Sequence, residues 1–283
     1  MPETSETSAG DAAVTVRPYA EVIGDPIEQS KSPVIHNFWL RALGIDAEYR
    51  RSHVTPEGLA GYFAERRDDP AWRGCNITVP HKIMALDQVA DPGGVRDSIG
   101  AINTAFRNEA GELVGTNTDA GGFYAPIADL DLVGRPVAVI GTGGAARAIL
   151  FALSRMDTGP VTVLGRNPLK AAALLASFGL KGDAQPIERL PAAALLVNAT
   201  TLGMQGQPPL GVDLSPLPDD ATVYDIVYAP LETPLLAQAR ERGLDTVDGL
   251  EMLVGQAAIA FEILFGAPPP RDRDEELRDL LLA

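Results

Sequence analysis

The sequence predicts an α/β chain of two domains, and three observations carry that reading. At 283 residues it is longer than one ordinary domain. Short apolar runs alternate with amphipathic stretches along nearly all of it, as strands interleaved with helices do. Near the middle, Val137-Ala-Val-Ile140 runs into the turn Gly141-Thr-Gly-Gly144, and the small and apolar residues from Ala145 to Leu153 read as the helix that follows. Strand, tight turn and helix in that order are the opening unit of a doubly wound, Rossmann-type dinucleotide domain. Gly141 permits the turn, Gly143 lets a pyrophosphate approach the backbone, Ala146 allows helix to pack closely on strand, and the helix N-terminus offers free N–H groups.

A hydrophobic fraction of 46% is enough for two cores, and no window reads as a membrane span. Met1 to Val16 is polar and acidic, without the apolar core of a signal peptide, and is expected to be a disordered lead-in to a cytoplasmic protein. The single Cys75 forms no internal disulfide, in keeping with a reducing compartment. A formal net charge of −15 argues against nucleic acid or an anionic membrane as partner. Any anionic ligand must then be held by a few local cations and helix N-termini. His36, His53 and His81 are not grouped as ligands, and no metal is expected.

From 17 to 118, strands and helices alternate. Ala20 to Ile23 is a strand stopped by Gly24-Asp25-Pro26. Ser32-Pro33 supplies an N-cap with proline at the first helical position, and Val34, Phe38, Trp39 and Leu43 form an apolar face that ends at Gly44. Glu48 to Val54 is a strand, Thr55-Pro56-Glu57 opens a helix, Cys75 to Val79 is a third strand, and Pro80 starts a helix carrying His81, Lys82, Met84 and Leu86. Ala101 to Phe106 and Leu113 to Thr116 pair as a hairpin across Asn108 to Gly111.

From 119 to 249, strand–helix units repeat: strand Val161 to Leu164, helix Pro168 to Phe178, strands Leu195 to Val197 and Thr222 to Val227, a helix from Thr233-Pro234, and a last strand Asp245 to Val247. Continuous apolar strands between helices specify a parallel sheet covered on both faces. The helices Leu250 to Phe265 and Asp274 to Leu282 have no further strands to cover and are expected to return to the first domain. Residues 17–118 with 250–283 then form a substrate domain, 119–249 a dinucleotide domain, and the site lies in the cleft between them.

An NAD site places an acid about 20 residues beyond the glycines to bind the ribose hydroxyls. Here the strand ends Leu164-Gly165-Arg166-Asn167-Pro168, with Lys170 beyond. An always-charged planar guanidinium suits the 2′-phosphate of NADP, and Gly165 lets that phosphate come close. The alternative, an ordinary solvated helix start, would set two cations against the helix dipole.

Polar residues elsewhere gather at strand ends. Ser30 and Ser32 stand at a helix N-terminus, where hydroxyls and free N–H groups hold a carboxylate, although Ser32 also suits a plain N-cap. Asn76 and Thr78 alternate onto one face of a strand, and Lys82 follows, aimed into the cleft or out to solvent. Asn103-Thr104 and Asn117-Thr118-Asp119 complete the set, Asp119 either joining the cleft or capping the next helix.

With these segments in order, the chain resembles the shikimate dehydrogenase family. Gly24-Asp-Pro-Ile-Glu-Gln-Ser-Lys-Ser-Pro33 is similar to the family's carboxylate-binding stretch and Cys75-Asn-Ile-Thr-Val-Pro-His-Lys82 to its catalytic-lysine motif. Gly100-Ala-Ile-Asn-Thr104 and Thr116-Asn-Thr-Asp-Ala-Gly-Gly122 resemble its next two motifs, and Val139-Ile-Gly-Thr-Gly-Gly-Ala-Ala-Arg147 its cofactor loop. Val197 to Met204, Tyr224 to Tyr228 and Asp248 to Gln256 continue in the family order.

The resemblance implies NADPH-dependent, reversible reduction of 3-dehydroshikimate to shikimate in aromatic amino-acid biosynthesis. By motif position it assigns the substrate carboxylate to Ser30 and Ser32 with help from Tyr228, and the ring hydroxyls to Asn76, Thr78, Asn103, Asp119 and Gln256. Lys82 and Asp119 become the catalytic pair. Gly141, Gly143, Gly144 and Ala145 face the pyrophosphate, Arg166, Asn167 and Lys170 the 2′-phosphate, and Thr200 with Gly249 the nicotinamide. The chain departs from the family at Gln29, often His, at Gly165-Arg166-Asn167, often Asn-Arg-Thr, and at Lys170, often Arg. These departures keep the positive charge and imply a weaker preference for NADP.

Two other readings compete: an NAD-using quinate/shikimate or aminoshikimate-type dehydrogenase, and a noncatalytic sensor of shikimate-type ligands. No acid stands at 165–167, and a sensor has little use for the pair Lys82 and Asp119. A small-molecule substrate and a monomer or homodimer are expected.

Overall fold

A computed structural model describes residues 17–283; the lead-in expected over Met1 to Val16 lies outside the described residues. The chain runs β1 (Tyr19–Gly24), α1 (Ser32–Ala42), β2 (Glu48–His53), α2 (Leu59–Arg67), β3 (Trp72–Ile77), α3 (Val95–Ser98), β4 (Thr104–Arg107), β5 (Leu113–Thr116) and α4 (Asp119–Tyr124). It continues through β6 (Val137–Ile140), α5 (Gly144–Leu153), β7 (Val161–Leu164), α6 (Pro168–Ser177), β8 (Gly182–Gln185), β9 (Leu195–Asn198), β10 (Thr222–Asp225), α7 (Pro234–Glu241), β11 (Asp245–Val247), α8 (Gly249–Phe265) and α9 (Asp274–Leu282).

The strands make two sheets. The first has the order β2-β1-β3-β4-β5, with β1 parallel to both neighbours and β4 antiparallel to both β3 and β5. The second, β11-β10-β9-β6-β7-β8, is parallel throughout. Its strands β6, β7, β9 and β10 are buried along their whole length, which is why they read as mainly apolar runs. Chain order reverses between β6 and β9, so their carboxyl ends flank the crevice where doubly wound sheets bind ligands.

Helices α8 and α9 close the molecule. Leu250, Ala257, Phe261 and Leu264 of α8, with Leu277 and Leu281 of α9, are buried in one cluster with Val22 of β1 and Ile35, Trp39 and Leu40 of α1. Met252 of α8 joins the core of the second sheet instead. The helix therefore has one face in each core, and Gln256 lies on the seam. Among the described residues no helix is long and apolar enough to cross a membrane, and no group of His, Cys, Asp or Glu is placed to hold a metal ion.

Three local expectations change. The strand β8 has no apolar pattern because it is a half-exposed edge, paired to β7 by the backbone ladder and by the Thr162 hydroxyl, which donates to Asp183 Oδ1 at 2.7 Å. No helix begins at Pro80; residues 79–83 form turns, and a short 3₁₀ stretch starts at Met84. The Lys82 carbonyl accepts from the Ile102 N–H at 2.8 Å, a long-range bond that takes the place of a helix's own ladder. Ser32 is the first residue inside α1, not its cap; the hydroxyl that meets a free N–H there belongs to Ser30, which accepts from the Ser32 amide at 3.4 Å.

Candidate active site

The centre of the cleft is an ion pair. Lys82 Nζ lies 2.5 Å from Asp119 Oδ2, with side-chain exposures of 16% and 5%, so the pair is largely sealed yet one side of the ammonium stays open. Asp119 does not cap α4. Its Oδ1 accepts from Asn103 Nδ2 at 2.9 Å, and Asn117 Oδ1 serves the helix start by accepting from the amides of Asp119 and Ala120 at 3.0 and 3.4 Å. Both carboxylate oxygens are thus engaged. Of the three ammonium protons of Lys82, two remain for a ligand.

Asn103 joins the elements around that pair. Its Oδ1 accepts from the Thr118 amide at 2.7 Å and the Thr104 hydroxyl at 3.1 Å, and its Nδ2 also reaches Gln256 Oε1 at 3.3 Å. Gln256 Nε2 donates to the Leu253 carbonyl at 2.9 Å. Asn76 is more constrained than its position in β3 suggested. Its Oδ1 accepts from the Tyr49 hydroxyl at 2.6 Å, and its Nδ2 donates to Thr104 Oγ1 at 3.0 Å and the Asn103 carbonyl at 3.3 Å. Only a lone pair on Oδ1 is left for a ligand.

Ser30, Ser32, Thr78, Tyr228 and Gln29 line the end of the same cleft, with Thr200, Ala145 and Gly249 on the side of the second sheet. Ser30 and Ser32 are each only 5% exposed. Thr78 lies just past the end of β3; a Cβ on Gly24 would stand 2.6 Å from its methyl group, so that glycine gives the threonine its place. Burial pushes the Tyr228 hydroxyl above its ordinary pKa, opposed by the nearby charge of Arg51. The phenol is a neutral donor.

The glycine loop is built for close approach. Gly141 has φ +121°, and a Cβ there would meet the Ala199 carbonyl oxygen at 3.0 Å. Gly143 has an ordinary extended backbone, yet nothing lies within 4 Å of a Cβ built on it: it faces open space at the N-terminus of α5. A cradle that a side chain would fill, beneath free helix N–H groups, fits a pyrophosphate. Gly144 has another duty, since a Cβ on it would come within 3.0 Å of Lys82 Cβ. Gly249 is likewise a packing glycine, 2.5 Å from the Ile226 and Val227 carbonyl oxygens by the same construction.

Arg166, Asn167 and Lys170 are exposed past the end of β7 and do not line the cleft. Asn167 caps α6, its Oδ1 accepting from Leu169 and Lys170 amides at 3.1 and 3.2 Å, so only its Nδ2 is available to a phosphate. Gly165 holds this turn against the glycine loop, its built Cβ 3.4 Å from Thr142.

Residues that sequence reasoning missed fix those that it found. Tyr49 orients Asn76. Asn198 Oδ1 accepts from both Thr200 N and Thr200 Oγ1, at 3.0 and 2.7 Å, while its Nδ2 donates to Asp225 Oδ1 at 2.9 Å. Asp225 also accepts from Thr233 Oγ1 at 2.7 Å, and burial raises its pKa. A signal for this pair existed: Asn198 and Asp225 are polar ends of otherwise apolar strands.

Known proteins share this sequence pattern and fold. Residues 22–105 match the model of the shikimate dehydrogenase substrate binding domain, and residues 249–277 that of the shikimate 5′-dehydrogenase C-terminal domain. The chain is 65% identical over 267 residues to a shikimate dehydrogenase (NADP(+)) of Sphingopyxis alaskensis, covering 94% of this chain and 97% of that one. It superposes on shikimate 5-dehydrogenase of Thermus thermophilus, solved with NADP(H) and shikimate, with a TM-score of 0.83 at 37% identity, over 94% and 100% of the two chains. It is also similar to quinate dehydrogenase of Corynebacterium glutamicum, solved with NAD, with a TM-score of 0.81 at 27% identity, over 93% and 99%. The chain belongs to the shikimate dehydrogenase family.

Proposed function

We infer that the protein catalyses the NADP-dependent, reversible reduction of 3-dehydroshikimate to shikimate, a reading supported by the relatives named shikimate dehydrogenase (NADP(+)) and by the complex with NADP(H) and shikimate. The observation that carries this reading is the contact between Gly144 and Lys82: a proton-handling pair sits directly against the dinucleotide loop, so a ring ketone held by Lys82 also faces the cofactor.

Gly141, Gly143, Gly144 and Ala145 would hold the pyrophosphate of the cofactor, Arg166, Lys170 and Asn167 Nδ2 its 2′-phosphate, and Thr200 and Gly249 the nicotinamide. When bound, NADPH supplies the hydride for the ring carbon. Lys82 donates a hydrogen bond to the ketone oxygen, stabilises the negative charge that develops there and holds a proton for it. Asp119 keeps the ammonium oriented, and Asn103 keeps Asp119 in place. Ser30, Ser32 and Tyr228 bind the substrate carboxylate as neutral donors. Asn103, Asp119, Thr78 and Gln256 contact ring hydroxyls, and Asn76, its N–H groups spent, accepts a hydrogen bond from a hydroxyl.

The same reading takes 17–118 with 250–283 as the substrate domain and 119–249 as the dinucleotide domain, supported by the way α8 and α9 pack on α1. It extends to a cytoplasmic enzyme acting as a monomer or homodimer. Steady-state rates on shikimate and quinate, each with NADP and NAD, test it. The highest kcat/KM is expected for shikimate with NADP; a clear preference for quinate with NAD would overturn it. Lys82→Ala should lower kcat by roughly a hundredfold or more, with thermal stability retained. Near-normal turnover in that variant would remove the lysine from the mechanism.

A further inference from the structure

We propose that Arg51 is a specificity-determining residue: seated behind the loop that carries Ser30 and Ser32, its guanidinium supplies the positive charge by which the cleft selects a carboxylate-bearing substrate over an uncharged one. This rests on the function proposed above, which places the carboxylate at those serines.

Arg51 lies on β2, paired in register with Val22 of β1. Its Nε and Nη2 both donate to the Ser30 carbonyl oxygen, at 3.0 and 2.5 Å, so the guanidinium plane is fixed against the backbone of the residue whose hydroxyl lines the cleft. Its charge is felt at the Tyr228 hydroxyl on the other wall of the same end of the cleft. The three side chains that meet the carboxylate, Ser30, Ser32 and Tyr228, are hydrogen-bond donors with no net charge. They recognise the shape of an anion but do not offset its cost in a chain with a net charge of −15.

The other cations nearby are committed elsewhere. Lys31, between the two serines, turns its ammonium to the carbonyl of Leu281 in α9. Lys82 is paired with Asp119. No ion pair among the described residues includes Arg51. A fixed cation without a carboxylate partner, one residue's width behind neutral donors, leaves a positive potential at that end of the cleft for a substrate anion to use. A purely structural tether would not need that charge: any donor that held the Ser30 carbonyl would serve.

The two roles separate experimentally through the charge of the ligand. Shikimate and its methyl ester are titrated calorimetrically, without cofactor so that no turnover occurs, into wild type, Arg51→Ala, Arg51→Gln and Arg51→Lys. Loss of the cation is expected to weaken shikimate by roughly tenfold and the ester by less than about twofold, with Arg51→Lys recovering most of the difference. In turnover the loss should appear in KM, with kcat within about twofold of wild type. Added salt should weaken shikimate binding more in wild type than in Arg51→Gln. Equal losses for acid and ester, no loss for either, or binding of neither ligand by wild type overturns the proposal. Should Arg51→Ala fail to fold, Arg51→Gln against Arg51→Lys decides by the same comparison. Wild-type turnover of shikimate is scored apart: its absence counts against the proposed reaction, while the acid–ester difference in binding still decides the role of Arg51.

Discussion

The burial of His36 makes stability depend on pH. It is fully buried in α1, its ring stacked on Tyr49 at 4.0 Å and 3°, and among the described residues neither ring nitrogen has a partner. Burial lowers its pKa from 6.5 to about 3, because a charge there would have nothing to solvate it. The native protein keeps His36 neutral while the unfolded chain protonates below pH 6.5, so the unfolded state binds more protons throughout the window from 6.5 down to about 3. Stability is therefore complete above pH 6.5 and falls as pH drops, by about 1.4 kcal/mol per pH unit from this group at most. His36→Phe should flatten the acid limb between about pH 6 and 4 in urea-unfolding experiments; an unchanged slope would show that the imidazole is solvated or protonated in the native state. The same stack bears on the site, since Tyr49 is the residue that orients Asn76. Nothing in the sequence around Tyr49 or Arg51 marks them, for both look like ordinary residues of a half-buried strand, and their partners lie 27 and 21 positions away. The residues that line the cleft were legible because they cluster at strand ends; those that hold them were not, because their bonds are long-range.

Among elements, the strand–turn–helix unit at β6 and α5 separates two kinds of glycine. Gly141→Ala would force an L-residue to φ +121° with its Cβ 3.0 Å from a carbonyl oxygen, and should destabilise the protein by about 1–3 kcal/mol. Gly143→Ala has both an ordinary backbone and empty space around its new methyl group, so the apo protein should melt as wild type does, while KM for NADP rises by roughly tenfold or more. Thermal unfolding with and without NADP distinguishes them; equal loss of apo stability in both would mean that Gly143 serves the fold rather than the ligand. This unit was readable because its chemistry is local: four buried apolar residues, a turn and a helix start follow one another within the sequence. The edge strand β8 was not, since Gly182 to Gln185 has no apolar alternation and owes its place to β7; a Cβ on Gly182 would lie 1.9 Å from the Val161 carbonyl oxygen. The turn at Lys82 failed as a helix for a related reason, its carbonyl being claimed by Ile102. Asn167 was read for its position after the strand, and the fold spends half of its amide on a cap.

For the molecule as a whole, the site depends on how α8 seats on α4, because that contact brings Gln256 to Asn103 and Thr118 from far along the sequence. The two helices touch through glycine. A Cβ on Gly122 would come within 2.6 Å of the Gln256 amide nitrogen and 2.8 Å of the Met252 carbonyl oxygen, and one on Gly255 would stand 3.1 Å from Gly122 Cα. These obstacles are helix backbone, which can yield only by moving α8 as a body. Gly122→Ala should therefore cost about 1–3 kcal/mol through overpacking and, by withdrawing Gln256 from its bond with Asn103, lower kcat/KM for shikimate by roughly tenfold or more. Gly121→Ala is the matched control. Its added methyl group meets only Cδ1 of Ile259, the far end of a flexible side chain that is 40% exposed, so rotation of that chain relieves the contact and both stability and turnover should stay near wild type. Measuring melting temperature and kcat/KM for the two variants separates a general intolerance of α4 from the specific seating of α8. If Gly122→Ala melts lower but keeps full kcat/KM, the seam is structural only and Gln256 reaches the substrate independently of it; if both measures fall together while Gly121→Ala is silent, the helix that crosses between the cores also sets the geometry of the cleft.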